Sequence, residues 1–404
     1  MEEKLKFLDE HYLSNFDYLD VDSVIQEQKA FEKCQDVVLE YPVAENEGEE
    51  DNTYLSYNMV AGNASDSQMA MAFEVLDYAL LSAPGAPLKK ALLDAGVGKD
   101  ISGSYDNGVY QPIFSVISKN ANVEQKEEFV RLIEDTLKDI VKNGINKKAL
   151  RAGINYHEFR FREADFGNYP RGLMYGLQLF DSWLYGGAPE ANLQIGDLFV
   201  HLREKMKQGY FEHLIREELL ENPHRCKVAL IPSKTAGEAR RAKEAKRIED
   251  ESAMWSDKVR EEIIAKQERL ETWQNSEDTP EQLAALPHLE LSDLSRTPQE
   301  QPIEELVIDG QKVLVHRVNS SGIAYITLYF DENHYTEAEL PALGLLCRLF
   351  GNLETTQSSV EELNNRVRLL CGSMTFFIST FNIKDDSSCC TVKLCASFST
   401  LESN

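Results

Sequence analysis

The chain has 404 residues, 42% of them hydrophobic, enough for two to three domains at about 150 residues each. Its 42 Lys and Arg stand against 68 Asp and Glu, a formal net charge of -26 at pH 7. Such a surface repels nucleic acid and anionic membranes, so neither is expected as a partner, whereas cationic partners are compatible with it. The seven cysteines, with no Cys-x-x-Cys, read as free thiols in a reducing compartment. The first ten residues lack the cationic start and apolar stretch of a signal peptide, and no run approaches about 18 apolar residues. The expectation is a soluble cytoplasmic chain.

Residues 1–42 read as lead-in helices: Leu5, Phe7, Leu8, Tyr12 and Leu13 recur at roughly helical spacing, and 24–31 continue similarly. An acidic loop, 45–51, follows. Residues 53–61 alternate as a strand, and Asp66 can cap a helix to about residue 81. Pro87 opens a short helix that Gly96 closes. Strands are expected at 101–105 and 111–119, turning at Asp106-Asn107-Gly108. Helices are expected at 124–143, stopped by Gly144, and at 146–163, with more helical pattern to residue 221 and a strand at 226–231.

From 234 to 278 the composition shifts to ten basic and twelve acidic residues with thin apolar positions. These predict two long exposed helices, then a Pro-bearing extended stretch to Pro302. A hairpin at 305–308 and 313–318 turns at Asp309-Gly310. Beyond it come a strand at 323–330, helices at 337–350 and 360–370, the second behind a Ser358-x-x-Glu361 capping box, and strands at 374–380 and 391–398. Strand, helix, helix, strand, strand is also the order from 53 to 119, which predicts a divergent internal duplication. The first copy continues through about a hundred further residues and a closing strand; the second does not. A sheet without covering helices exposes an apolar face, so the expectation is a piece of something longer, cut inside its last domain.

The sequence offers little catalytic apparatus. His157-Glu158 begins a zinc-peptidase motif, but Phe161 holds the second ligand position. His201-Leu202-Arg203-Glu204 approaches the inverted form, yet Lys205, an ammonium, stands where the second histidine is required. There is no Gly-x-Ser-x-Gly. The unusual segment is 158–187, where Arg160, Arg162, Glu163, Arg171 and Asp181 stand among eight aromatic side chains. One reading is a pair of helices fixed by ion pairs and stacked rings. The other is a wall that grips extended peptide, with Arg162, Tyr169, Arg171, Tyr175 and Trp183 as contact candidates.

Glu158-Phe-Arg-Phe-Arg-Glu163, Asp165-Phe-Gly-Asn-Tyr-Pro-Arg-Gly172 and Trp183-Leu-Tyr-Gly186 resemble the second domain of presequence proteases. These form the branch of the pitrilysin/insulysin zinc-metallopeptidase superfamily that degrades targeting peptides and other short unstructured chains. Tyr54-Leu-Ser-Tyr57, Pro87-Leu-Lys-Lys-Ala-Leu92, Glu221-Asn-Pro-His224, Leu286-Pro-His-Leu-Glu-Leu-Ser-Asp293 and Leu340-Pro-Ala-Leu-Gly344 extend the resemblance. It implies an α+β fold, with a pitrilysin-like sheet covered by helices, a helical hairpin linker and the first part of a second related domain. On that template residues 1–42 resemble the end of a preceding domain and 43–232 a complete non-catalytic second domain. Residues 233–301 resemble the hinge and 302–404 the start of a third domain. The zinc ligands belong to the first domain and a substrate-binding Arg/Tyr pair to the fourth, so no catalytic or metal residue is carried over to this chain. Zinc is expected in the full-length parent and none in this portion. The implied partners are unstructured peptides, cationic ones among them, and the missing first and fourth domains. The implied function is the central, non-catalytic part of a zinc-dependent metalloendopeptidase that works inside a closed chamber. The alternative is a catalytically inactive structural or interaction homologue.

Overall fold

The computed structural model describes residues 1–194, 196–286, 288–297, 302–331, 335–383 and 386–401, without side-chain detail at 383 and 386–389. The extended stretch to Pro302 and the phrase from Leu286 to Asp293 fall partly outside these residues. After α1 (Glu2–His11) come β1 (Gln35–Pro42), β2 (Thr53–Val60), α2 (Ser67–Asp77), α3 (Pro87–Asp94), β3 (Asp100–Asp106) and β4 (Ile113–Ala121). Then α4 (Lys126–Asn143), α5 (Lys147–Glu163), α6 (Arg171–Trp183), α7 (Gly196–Lys205) and α8 (Tyr210–Leu214) lead to β5 (Arg225–Ser233). Three helices follow: α9 (Ala236–Ser252), α10 (Asp257–Gln274) and the short α11 (Pro280–Ala284). Last are β6 (Glu304–Ile308), β7 (Gln311–Val315), β8 (Ile323–Asp331), α12 (Leu340–Leu349), α13 (Val360–Leu370), β9 (Ser373–Ile383) and β10 (Asp386–Leu401).

Local signals set most of these boundaries. The Asp66 carboxylate accepts from the Met69 N–H at 2.9 Å and starts α2. The Asn146 side chain does the same for α5, accepting from the Lys148 and Ala149 N–H groups. Gly144, at φ 89°, ends α4 in a conformation that costs a residue with a Cβ more. The capping box of α13 lies one residue later than its sequence signature suggests. Ser359 accepts from the Glu362 N–H, and the Glu362 side chain accepts from the Ser359 N–H.

The lead-in differs from its pattern. Residues 24–31, which repeat at helical spacing, are irregular, and 35–42 form a strand. That strand lies parallel to β5, Gln35 opposite Cys226 through Pro42 opposite Ser233. The open edge of β5 supplies backbone partners for 35–42 alone, while 24–31 form neither helix nor strand. The five-stranded sheet runs β1-β5-β2-β4-β3, antiparallel except at β1. Alternate residues Leu55, Tyr57 and Met59 of β2 are buried, as a sheet with one covered face requires. They share one core with Phe129, Ile133 and Leu137 of α4 and with Leu150 and Ile154 of α5. Helix α5 reaches α2 because residue 153 is glycine; a Cβ there would stand 3.0 Å from the Tyr78 ring.

The C-terminal sheet is β8-β10-β9, antiparallel throughout, with β6 and β7 as a separate hairpin. Helices α9 and α10 bury no residue, as their charge density predicts. The two sheet-bearing parts meet along α5. The Asn155 amide donates to the Leu369 carbonyl at 2.9 Å, and Phe159 joins Ile323 and Leu401 in a small buried cluster. A Cβ at Gly372 would overlap the Phe159 ring at 2.3 Å, so this seam requires glycine.

Candidate functional site

A concavity of about 320 Å³ opens between α2, α5 and α6. Each helix gives it one face. Ser67, Ala70, Met71 and Glu74 follow i, i+3, i+4, i+7 spacing on α2; His157, Arg160 and Phe161 do so on α5; Tyr175, Gln178 and Asp181 are three apart on α6. Asp165 and Phe166 enter from the α5–α6 loop and Asn107 from the β3–β4 turn. That turn is held against α6: the Tyr185 hydroxyl donates to the Gly108 carbonyl at 3.2 Å, and Tyr185 stacks on Tyr110 at 5.3 Å.

Burial dominates the electrostatics. It pushes the Glu74 carboxyl up to about 7, with the neighbouring Asp77 carboxylate adding to the rise and Arg160 opposing it. Asp77 is raised to about 6 by burial, which its bond from Ser82 partly offsets. The His157 ring is pushed down to about 4 by burial, against the hydrogen bond it makes to the Glu74 backbone. It is therefore neutral at pH 7, and its Nε2 has no hydrogen-bond partner. Asp181 is raised by burial and then by the Asp106 carboxylate. These are poor conditions for anions and good ones for a ligand that brings positive charge or N–H donors.

Of the five contact candidates, only Tyr175 lines this pocket, edge-on to Phe166 at 5.6 Å. Arg162 instead lies on the other side of α5, its guanidinium on Glu158 at 2.7 Å and on the Ser321 carbonyl at 3.4 Å. Tyr169 is 66% exposed in the loop before α6, Arg171 is exposed at the first turn of α6, and Trp183 stacks on Phe180 at its far end. Glu74 and Met71 are residues that sequence reasoning missed, and His157 entered it only as half of a broken zinc motif. The available signal was Glu74, seven residues after Ser67 and so on the same face of α2.

A zinc site does not fit the residues present. Among the described residues no three His, Cys, Asp or Glu side chains gather as a metal-binding group. Glu158, beside His157, is committed to Arg162 and to Arg203 at 2.5 Å. His201 is exposed on α7. No helix is long and apolar enough to cross a membrane among the described residues.

Two family profiles match this arrangement. Residues 2–156 match the family described as Peptidase M16 inactive domain, and 230–404 match the associated domain of M16 peptidases of subfamily C. The chain belongs to the M16 peptidase family. Within it, this M16 chain is presequence-protease-like. It is 38% identical over 387 residues to Protein HypA of Clostridium perfringens, covering 96% of this chain and 40% of that protein. It is 28% identical to presequence protease 1, chloroplastic/mitochondrial, of Arabidopsis thaliana, covering 91% of this chain and 35% of that one. The M16 chain thus spans about two fifths of the length of these relatives. The crystal structure of the periplasmic protease PqqL from Escherichia coli aligns over 100% of this chain and 42% of that one. Its TM-score is 0.39 and its identity 13%, too loose a likeness to add to the assignment.

Proposed function

We propose that this M16 chain is the non-catalytic wall and hinge of a peptidase that degrades short unstructured peptides inside a chamber, with zinc chemistry supplied by another part of the full protein. The observation that carries the reading is the match of residues 2–156 to the inactive-domain family. The domain plan goes with it: residues 43–232 as the wall, 233–301 as the hinge and 302–404 as the start of the opposite half. The exposed, charge-dense α9 and α10 have the character of such a tether. The donor set of the pocket supports a binding role rather than a hydrolytic one. It offers carboxyls, amides and a neutral imidazole, with no paired nucleophile and base and no metal-ligand cluster among the described residues.

Elemental analysis after dialysis against zinc, with a fluorogenic peptide assay in parallel, tests this reading. The expected result is less than stoichiometric zinc and no cleavage, together with measurable binding of an unstructured peptide. One tight zinc per chain with chelator-sensitive cleavage would overturn it.

A further inference from the structure

We infer that the pocket between α2, α5 and α6 receives the guanidinium of an arginine side chain from an extended peptide. The inference rests on the reading of this chain as a peptide-binding wall and names what one point of that wall selects.

Three observations converge on that chemistry. The first is the hydrogen-bonding inventory. The buried Nε2 of the neutral His157 ring has no hydrogen-bond partner, and an imidazole nitrogen left over in this way can accept one N–H. Glu74, Asp165 and Asp181 add carboxylate acceptors from three different elements, while the Arg160 guanidinium is already partly engaged by the Tyr156 hydroxyl at 3.1 Å. A ligand that fills this set must bring several N–H donors, and a guanidinium brings five in one plane.

The second is charge. Three carboxyls face one guanidinium across the concavity. Burial raises Glu74 and Asp181, and each also has a second carboxylate beside it. An incoming cation relieves both effects at once.

The third is shape. Phe161, Phe166 and Tyr175 supply aromatic surface, onto which a flat, weakly hydrated cation packs better than an ammonium. At about 320 Å³ the space is near the lower end for ligand pockets, suited to one side chain rather than a folded segment.

The test uses the full chain and a ten-residue peptide of Gly, Ser and Ala carrying one central arginine. Its citrulline twin, which keeps the shape and loses the charge, is titrated alongside, as is agmatine, a free alkylguanidinium. The arginine peptide is expected to bind about tenfold or more tightly than the citrulline peptide, and more tightly than agmatine. Asp181→Asn is expected to erase most of that preference while its thermal unfolding and far-UV circular dichroism stay those of the parent, which a misfolded variant would not show. Equal affinities for the arginine and citrulline peptides would overturn the pocket and leave the peptide-wall reading standing. Agmatine matching the arginine peptide would overturn the peptide source of the guanidinium. Failure of every peptide to bind would overturn the wall reading and the pocket together.

Discussion

In the N-terminal part β2, β4 and β3 are hydrogen-bonded in that order, and β8, β10 and β9 repeat the order strand for strand, antiparallel at each step. Each set holds two helices between its first and second strands, α2 and α3 in one, α12 and α13 in the other. What differs is the cover. In the first, β5 pairs with the outer edge of β2, and α4 and α5 share its core, so Leu55, Tyr57, Met59 and Phe114 are buried. In the second, Leu328, Tyr329 and Phe330 of β8 and Phe377 and Phe381 of β9 are exposed. The same topology therefore makes a core in one place and leaves large apolar strand residues exposed in the other. Topology specifies which strands pair, and the layers packed upon them decide stability.

Four experiments break or sharpen that contrast. The largest expected effect is Phe114→Ala, which opens a cavity in the covered unit and costs about 3–5 kcal/mol, against about 1 kcal/mol or less for Phe377→Ala in the open one. Urea unfolding followed separately in each unit checks this, and equal losses would mean that the second sheet is covered too. Next, Glu158→Gln removes the charge that holds Arg162 and Arg203. A loss of about 3 kcal/mol is expected. Because Arg162 also reaches Ser321 beyond the seam, both unfolding transitions should shift; a change confined to the covered unit would show the units to be uncoupled.

The third concerns pH. Between about 4.5 and 7 the folded chain keeps a proton on Glu74 that the unfolded chain has released, so stability falls as pH rises through that window. His157 acts in the opposite sense, losing stability as pH falls from 6.5 towards about 4, and it is unchanged in a Glu74 variant. Glu74→Gln should therefore gain on the parent by about 2 kcal/mol between pH 5 and pH 8, in the covered unit alone. Thermal melts at the two pH values give the answer, and a constant difference would contradict it. The smallest effect is expected from Arg247→Ala on α9, whose ion pairs with Glu244 and Glu251 are solvated. Neither transition should move, and amides of α9 and α10 should exchange faster than those of α2 by hydrogen exchange.

Much of this was legible in the chain because the signals are local. Asp66, Pro87, Gly144 and Asn146 mark helix ends through bonds or backbone angles that reach only a few residues. The alternation of β2 and the Phe129-to-Leu137 stripe of α4 each announce a buried face without saying what covers it. The strand at 35–42 was not legible, since it exists by pairing with β5, far along the chain. The pocket was half legible. Asp181, Arg160 and Tyr175 stood out in an aromatic, charged segment, whereas Glu74 and His157 looked like ordinary helix residues.

The sequence by itself determined most of the element order beyond residue 53, the repeat of one topology, the exposed charged helices and the M16 resemblance. All of these rest on periodicity, capping chemistry or residue identity over short spans. Only the tertiary structure decided that β1 joins the first sheet, that Arg162 serves the seam rather than the pocket, and that Glu74 and His157 face one cavity. The physical reason is the same in each case: burial and unsatisfied hydrogen bonds depend on which distant surfaces meet, and no local spacing along the chain records that.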